Sequence, residues 1–589
     1  MLDPTDGVTL LDALAPPTGY RLDAAVGTSF TLDLTALLAV PSGFAMQQMT
    51  TAPLDEEGPT PLGLLETLRE HAARIALFSD RGHIGVPAAT TGTAVLGFLE
   101  ECVVPVSAPR GGLFHPKLWA LRFADDDGAY LHRLLVASRN LTFDRSWDTL
   151  VRLDEADDGV TFPPLPGLLT ALRDLGNATG MLSADRAGSV DDLARSIAQA
   201  RFTPPPGFTD MALHPIGFAP GPGTVWPFPR DSRRTLVISP FLTHGTASRL
   251  AEATRTLTLV SRGSELDRAY AKVTEPRPAA FEINSALVEA DDANVLTDLH
   301  AKVYVLDHTG TPTTSVFSGS ANATGAAFGS NTEVLLELTG PTAHVGVRRW
   351  LDPDGASLGQ MLVPHTWQEP GEEDEDDPER TLERVHARLG TLDVTCSVTE
   401  EPVGRFHAHY ESGPLPDLEG AALSVRPLTD ATWAPISEGR LQLDRTTDLA
   451  HLTGFLAVRL ELKGHTDQRT LRCVLDGVPP DREERLLAHL IVDVDRLVRY
   501  LVMLLTDRPE DRFDGVTQTI RAAVARATSG GLDTVPLLEL LLRTRARNPE
   551  RLGTVGRLMD VVRRTPELRD DRLLDLWDAI TTPPSEGAR

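Results

Sequence analysis

Phe114-His115-Pro116-Lys117-Leu118-Trp119 and Leu299-His300-Ala301-Lys302-Val303-Tyr304 repeat one pattern: His-x-Lys leading into an apolar run. Each is followed by Ser-x-Asn. Ser138-Arg139-Asn140 places Asn140 23 residues after Lys117, and Ser320-Ala321-Asn322 places Asn322 20 residues after Lys302. Of the 56 Lys+Arg, only Lys117, Lys272, Lys302 and Lys463 are lysine. Random scattering of so few lysines among the histidines gives ~0.1 His-x-Lys triplets, so two with matching followers form a motif. Lysine is a compact point charge and arginine a planar fork, so a site that retains lysine in an arginine-rich chain needs the former.

On a strand, residues two apart share a face. His115 with Lys117, Ser138 with Asn140, and their counterparts His300 with Lys302 and Ser320 with Asn322 therefore each present one patch. An imidazole, an ammonium, a hydroxyl and an amide suit a phosphodiester. The lysine offsets charge, Ser and Asn donate to non-bridging oxygens, and the imidazole attacks phosphorus or moves a proton. Two copies facing each other supply a nucleophile on one side of phosphorus and an acid on the other. This chemistry calls for no metal and no cofactor, and no Mg²⁺-type carboxylate cluster accompanies either motif. A catalytic histidine needs an acceptor on its other ring nitrogen. Glu333 and Asp148, 11 and 8 residues after the motif asparagines and each opening an apolar strand, are the candidates.

Alternating elements must hold these residues. Leu34–Gln48 reads as helix, Pro61–Ala73 as helix, and Arg74–Asp80 as a buried strand with a polar end. Lys117–Phe123 and Leu131–Ala137 read as strands about an Asp125–Gly128 turn. After a Pro/Gly-rich stretch, strands Thr235–Ser239, Thr256–Ser261, Lys302–Asp307 and Ser315–Ser318 repeat the plan, with helices near Thr246–Thr254 and Ser264–Val273. The expected organisation is α/β: a first lobe over 1–200, a linker over 201–232, a second lobe over 233–365 and an acidic linker over 366–388. A β-rich domain over 389–478 and a helical domain over 479–589 follow. Arg521–Arg564, with nine Arg against four acids, is the most basic stretch.

At 589 residues, several domains are expected. The formal charge of −27 argues against a general polyanion-coating protein, while leaving room for a local cationic channel on an acidic body. Cys102, Cys396 and Cys473 match no metal spacing and read as buried thiols of a reducing compartment. The start Met1-Leu2-Asp3-Pro4 lacks signal-peptide character and no window reads as a membrane span, so a cytoplasmic location away from membranes is expected.

These motifs resemble the phospholipase D superfamily, whose signature is His-x-Lys-x4-Asp followed by Gly-Ser-x-Asn. The second copy matches in full with His300, Lys302, Asp307, Gly319, Ser320 and Asn322. The first has Arg122 at the Asp position and Ala137 at the Gly position. It looks more like the tyrosyl-DNA phosphodiesterase branch, whose motifs read His-x-Lys then Ser-x-Asn-Leu, here Ser138-Arg139-Asn140-Leu141. The resemblance covers about residues 60–345. It implies a pseudo-twofold pair of phospholipase D-like α/β/α sandwich lobes and a covalent phosphohistidine. Lys117, Lys302, Asn140 and Asn322 would hold phosphoryl oxygens, supported by Ser138 and Ser320. In the tyrosyl-DNA branch the first histidine is the nucleophile, which is His115 here, with His300 as acid; other branches reverse the order.

The superfamily also contains lipid hydrolases. Arg110 and Arg139 beside the motifs point to nucleic acid, whereas no targeting segment points to lipid. Bacterial members with large extra domains often act as DNA-cutting subunits, including in restriction and anti-phage systems. The reading is therefore a nuclease, with DNA as substrate. The absence of a Walker A sequence places any ATP use in a partner helicase or ATPase. The alternatives are a phospholipase D-type lipid hydrolase and a scaffold without turnover. His71, His83, His214, His386 and His451 stand alone and read as packing or surface residues. His407 and His409 are a weak metal pair.

Overall fold

A computed structural model describes residues 10–51, 71–87, 93–142, 146–219, 223–271, 277–284, 298–354, 357–369, 377–402, 405–437 and 439–479, with isolated positions elsewhere. Expectations for a helix over 61–70 and for the helical domain from 483 onward lie outside these residues, apart from isolated positions.

The first lobe is a six-stranded sheet. Its strands are β1 (Arg21–Ser29), β2 (Ile75–Asp80), β3 (Val103–Val106), β4 (Leu118–Ala124), β5 (Tyr130–Ala137) and β7 (Leu150–Val160), in the order β3-β2-β1-β4-β5-β7. β1, β2 and β3 are parallel and the rest antiparallel. Strands β2, β3 and β4 are buried throughout, which is why they read as apolar runs rather than alternations. The second lobe repeats the plan with β9 (Ser232–Ile238), β10 (Leu257–Val260), β11 (Ala279–Ile283), β13 (Val303–His308), β14 (Thr313–Gly319) and β15 (Glu333–Pro341). Here too the first three are parallel and β13, β14 and β15 follow antiparallel. A short strand, β16 (Leu362–Pro364), pairs antiparallel with β11 at one edge. Short strands β6 (Ser146–Trp147) and β12 (Asp298–Leu299) pair across the lobes, and one apolar core runs through both sheets.

Two expected linkers carry structure. Within 201–232, β8 (Asp210–Ile216) joins the second sheet as its other edge strand, antiparallel to β15. Met211 and Leu213 supply the buried face. Pro215 is tolerated because an edge strand needs no donor on its outer side, and the flanking prolines and glycines mask the pattern in the sequence. Within 366–388, Pro378–Leu389 is a helix. Asp377 caps it by accepting from Glu379 N, and it lies against β22 (Phe455–Leu462) and β23 (His465–Arg472).

The β-rich region forms two four-stranded sheets. One contains β17 (Val394–Glu401), β18 (Arg405–Pro414), β21 (Arg440–Asp448) and β24 (Val474–Asp476). The other contains β19 (Ala422–Pro427), β20 (Ala434–Ile436), β22 and β23. It is fused to the first lobe, since Leu428, Phe455 and Ala457 belong to that lobe's core. The buried Glu100 accepts from Thr453 Oγ1 at 2.7 Å, Gly454 N at 2.9 Å and Arg482 Nη1 at 2.9 Å. Among the described residues, no helix is long and apolar enough to cross a membrane, and the three cysteines are free and buried.

Candidate active site

Both His-x-Lys pairs lie in the extended lead-in to a central strand, β4 or β13. Each lysine turns back to its own histidine's carbonyl: Lys117 Nζ donates to His115 O at 2.8 Å and Lys302 Nζ to His300 O at 2.7 Å. Each lead-in is fastened to the opposite lobe. His115 N donates to Thr332 O at 2.9 Å, and His300 N and Ala301 N donate to Trp147 O at 2.8 and 2.9 Å. Lys302 Nζ also reaches Ser138 O of the first lobe at 3.4 Å. The two motifs therefore meet at the seam between the lobes.

The motif serines hold strands together. Ser138 Oγ accepts from Thr149 N and Ser320 Oγ from Val334 N, at 2.8 and 2.9 Å. Their hydroxyls are engaged inside the lobes, unlike the phosphate contacts expected of them, because a buried N–H needs an acceptor. Gly319, before Ser320, permits a close approach: a Cβ there would lie 2.2 Å from Val334 O.

Glu333, fully buried, bridges the lobes. His115 Nδ1 lies 2.9 Å from its Oε2, Ser320 Oγ donates to the same oxygen, and Asn331 Nδ2 donates to Oε1 at 3.2 Å. Asn331 Oδ1 accepts from Leu113 N at 3.0 Å, which fixes its amide so that its NH₂ must face Glu333. When Glu333 is ionised it accepts from His115, Ser320 and Asn331, which places the His115 proton on Nδ1 and leaves the Nε2 lone pair for chemistry.

His300 is held differently. Its Nδ1 lies 3.1 Å from the Lys302 ammonium, which can only donate. Its Nε2 lies farther from the same nitrogen, at 3.5 Å, so donation from the ammonium to the nearer Nδ1 leaves the ring's own proton on Nε2. Asp148, the other candidate acceptor, pairs with Arg139 at 3.5 Å. Arg139, inside the first Ser-x-Asn, has no counterpart in the second copy, where Ala321 stands, and it draws the carboxylate to itself.

The electrostatics follow from burial. Lys117 and Lys302 are each 1% exposed. Burial lowers Lys117 to about 7, against the pull of Glu333 and Asp80. Lys302 is held well below the usual lysine range by burial and then by Lys117. Burial and both lysines push His115 and His300 down, so both rings are neutral. Glu333 is raised to about 8 by burial, with Lys117 opposing. Burial and mutual repulsion disfavour both lysine charges in this dry pocket, and an anion between the two side chains restores them, which suits the pocket to a phosphodiester. Asn140 and Asn322 each keep a buried amide oxygen without a hydrogen-bond partner, so these amides are uncommitted at matching places in the two lobes.

Three residues that stand apart in the sequence join the site. Phe30 packs between His83 and His115, with ring centroids 4.1 and 4.9 Å away, and lies 5.7 Å from Lys117 Nζ. His83 Nδ1 is 2.7 Å from Asp80 Oδ1. The polar end of the buried strand at Asp80 is the one sequence signal for this group.

No family model matches the chain, and no curated protein matches it. Among solved structures, yeast tyrosyl-DNA phosphodiesterase aligns at 12% identity with a TM-score of 0.34, over 58% of this chain and 87% of that one. A mutant of the same yeast enzyme aligns at 11% identity and a TM-score of 0.32, over 55% and 85%. Likeness at this level adds nothing to the geometry. The geometry itself is two α/β lobes with a His-x-Lys pair from each at their seam.

Proposed function

We propose that this chain is a metal-independent phosphodiesterase that cuts nucleic acid, DNA in the first place, through a covalent phosphohistidine. The observation that carries the reading is the meeting of two His-x-Lys pairs at the seam of the lobes, His115 held by Glu333 and His300 facing Lys302. His115 Nε2 attacks phosphorus, the bond to the leaving oxygen breaks, and that oxygen takes the proton from His300 Nε2. His300, now a base, takes a proton from water; the water oxygen bonds to phosphorus and the P–N bond breaks. Lys117, Lys302 and the amides of Asn140 and Asn322 hold the non-bridging oxygens.

The setting we propose is a bacterial DNA-processing or anti-phage system in which a separate helicase or ATPase supplies ATP-driven work. The missing Walker A sequence and the −27 charge of a body that grips DNA poorly support it. The test is cleavage of single-stranded, duplex and supercoiled DNA in EDTA by the wild type, His115→Ala and His300→Ala. Cutting that both substitutions abolish is expected. Absence of cutting on all three substrates refutes the nuclease, and cutting that survives either substitution refutes the paired-histidine mechanism.

A further inference from the structure

The first half-site has a wall built by a turn running from Asp80 to Gly85. Asp80 gathers three donors: His83 Nδ1 at 2.7 Å, Gly82 N at 3.3 Å, and Phe114 N, one residue before His115, at 2.9 Å. The His83 ring then faces Phe30, whose other neighbour is His115. From the far side, Glu333 holds His115 by Nδ1. The imidazole is thus clamped between a carboxylate of the second lobe and a ring of the first, and His83 is the backing of that ring.

The turn does not hold itself. Arg81 Nη2 bonds Asp393 Oδ1 at 2.6 Å and Leu392 O at 3.2 Å. Thr470 N donates to Ile84 O at 2.7 Å, and its hydroxyl donates to Gly85 O at 3.0 Å. The helix Pro378–Leu389 ends against the turn so closely that a Cβ on Gly390 would lie 2.1 Å from Arg81 O. All these partners come from the β-rich domain and its leading helix. On the inner side, Leu32, two residues past Phe30, exchanges backbone hydrogen bonds with His83 and Gly85. A continuous path of contacts therefore runs from the β-rich domain through the turn to the imidazole.

We propose that His83 is a positioning residue for His115, and that the β-rich domain sets its place by gripping the Arg81–Gly85 turn. The inference rests on the reading of His115 as the nucleophile. It gives the third domain a role in the chemistry without any residue of that domain touching substrate.

The test uses the full chain labelled with ¹⁵N at histidine, with the His115 ring signals assigned by His115→Gln. His83→Asn keeps a donor for Asp80 and loses the ring; His83→Phe keeps the ring and loses the donor. Each is expected to shift the His115 signals and to lower kcat about tenfold with KM unchanged, as misplacement of a reacting group does. Arg81→Ala is expected to shift the His115 signals in the same direction, and to add nothing on top of His83→Asn. Unmoved His115 signals in both His83 variants overturn the positioning role. Unmoved signals in Arg81→Ala, or additive shifts in the double variant, overturn the grip of the β-rich domain. The signals need no substrate, so a chain that cuts no DNA would refute the nuclease while leaving this test decisive.

Discussion

Glu333→Gln is the most incisive perturbation of this site, because Asn331 decides its outcome. The Asn331 amide is locked with its NH₂ toward residue 333, since its oxygen is taken by Leu113 N. A glutamine there must turn its own oxygen to Asn331 to avoid opposing two donors. Its NH₂ then faces His115 Nδ1, which becomes an acceptor, and the imidazole proton moves to Nε2. The nucleophilic lone pair is lost, so kcat should fall about 10²–10⁴-fold, the range for a catalytic imidazole in the wrong tautomer. That is about 3–5 kcal/mol of barrier. The same logic predicts a rescue. In Glu333→Gln/Asn331→Asp, the carboxylate introduced in place of the Asn331 amide accepts from Leu113 N and from the glutamine NH₂. This returns the glutamine oxygen to His115 and keeps the net charge. At least about tenfold of kcat should return, roughly the 1.4 kcal/mol of one well-placed hydrogen bond. Single-turnover cleavage of a chromogenic aryl phosphodiester in EDTA measures both, and ¹⁵N shifts of His115 report the tautomer. A single variant with wild-type turnover, or a double variant no better than the single, would refute the argument.

Lys302→Met should abolish cleavage yet raise stability by about 1–2 kcal/mol, because it removes a charge that burial and Lys117 both disfavour; a lower melting temperature counts against it. Stability should also fall as pH rises from 4.5 towards 8. The unfolded chain releases the Glu333 proton near 4.5, while the folded protein, with Glu333 raised to about 8 by burial, retains it. Lys117, lowered to about 7, acts oppositely from there up to 10.5; denaturant melts of Glu333→Gln should show the acid limb flattened. Glu100→Ala should cost about 3–5 kcal/mol, since it strips the acceptor from Thr453, Gly454 and the Arg482 guanidinium, and the urea midpoint will show it. Quenched in alkaline detergent on the aryl diester, whose leaving group needs no proton, His300→Ala should accumulate phosphorylated His115, whereas the same label on His300 in His115→Ala would reverse the assigned order.

The parts of this site that could be read in advance are those set by strand periodicity. His115 with Lys117 and His300 with Lys302 fall two apart on extended chain, and a carboxylate opening the next strand lands beside them, as Glu333 does. The internal repeat also shows the parallel-then-antiparallel plan twice. What could not be read depends on contacts between distant segments. Asp148, like Glu333, stands one residue before the backbone N–H that the motif serine accepts, but the Arg139 guanidinium, which the second copy lacks, takes it. His83 looks solitary because Phe30 and His115 reach it from 53 and 32 positions away, and only the packed turn joins them. Strand β8 is hidden by its own prolines, which an edge position permits. Asn331 carries no signature, since its importance lies in the direction its amide is forced to point.

The carboxylate that readies His115 lies 218 residues further along the chain. At about 5–20 residues per second, a ribosome needs roughly 10–40 s to travel that distance. Throughout that interval the nascent first lobe displays a histidine and a lysine but no means of arming them. An unfinished or prematurely terminated chain ending anywhere before Glu333 lacks the carboxylate that holds the His115 ring. The duplication that splits the site across two lobes also makes its completion one of the later events in the protein's own synthesis.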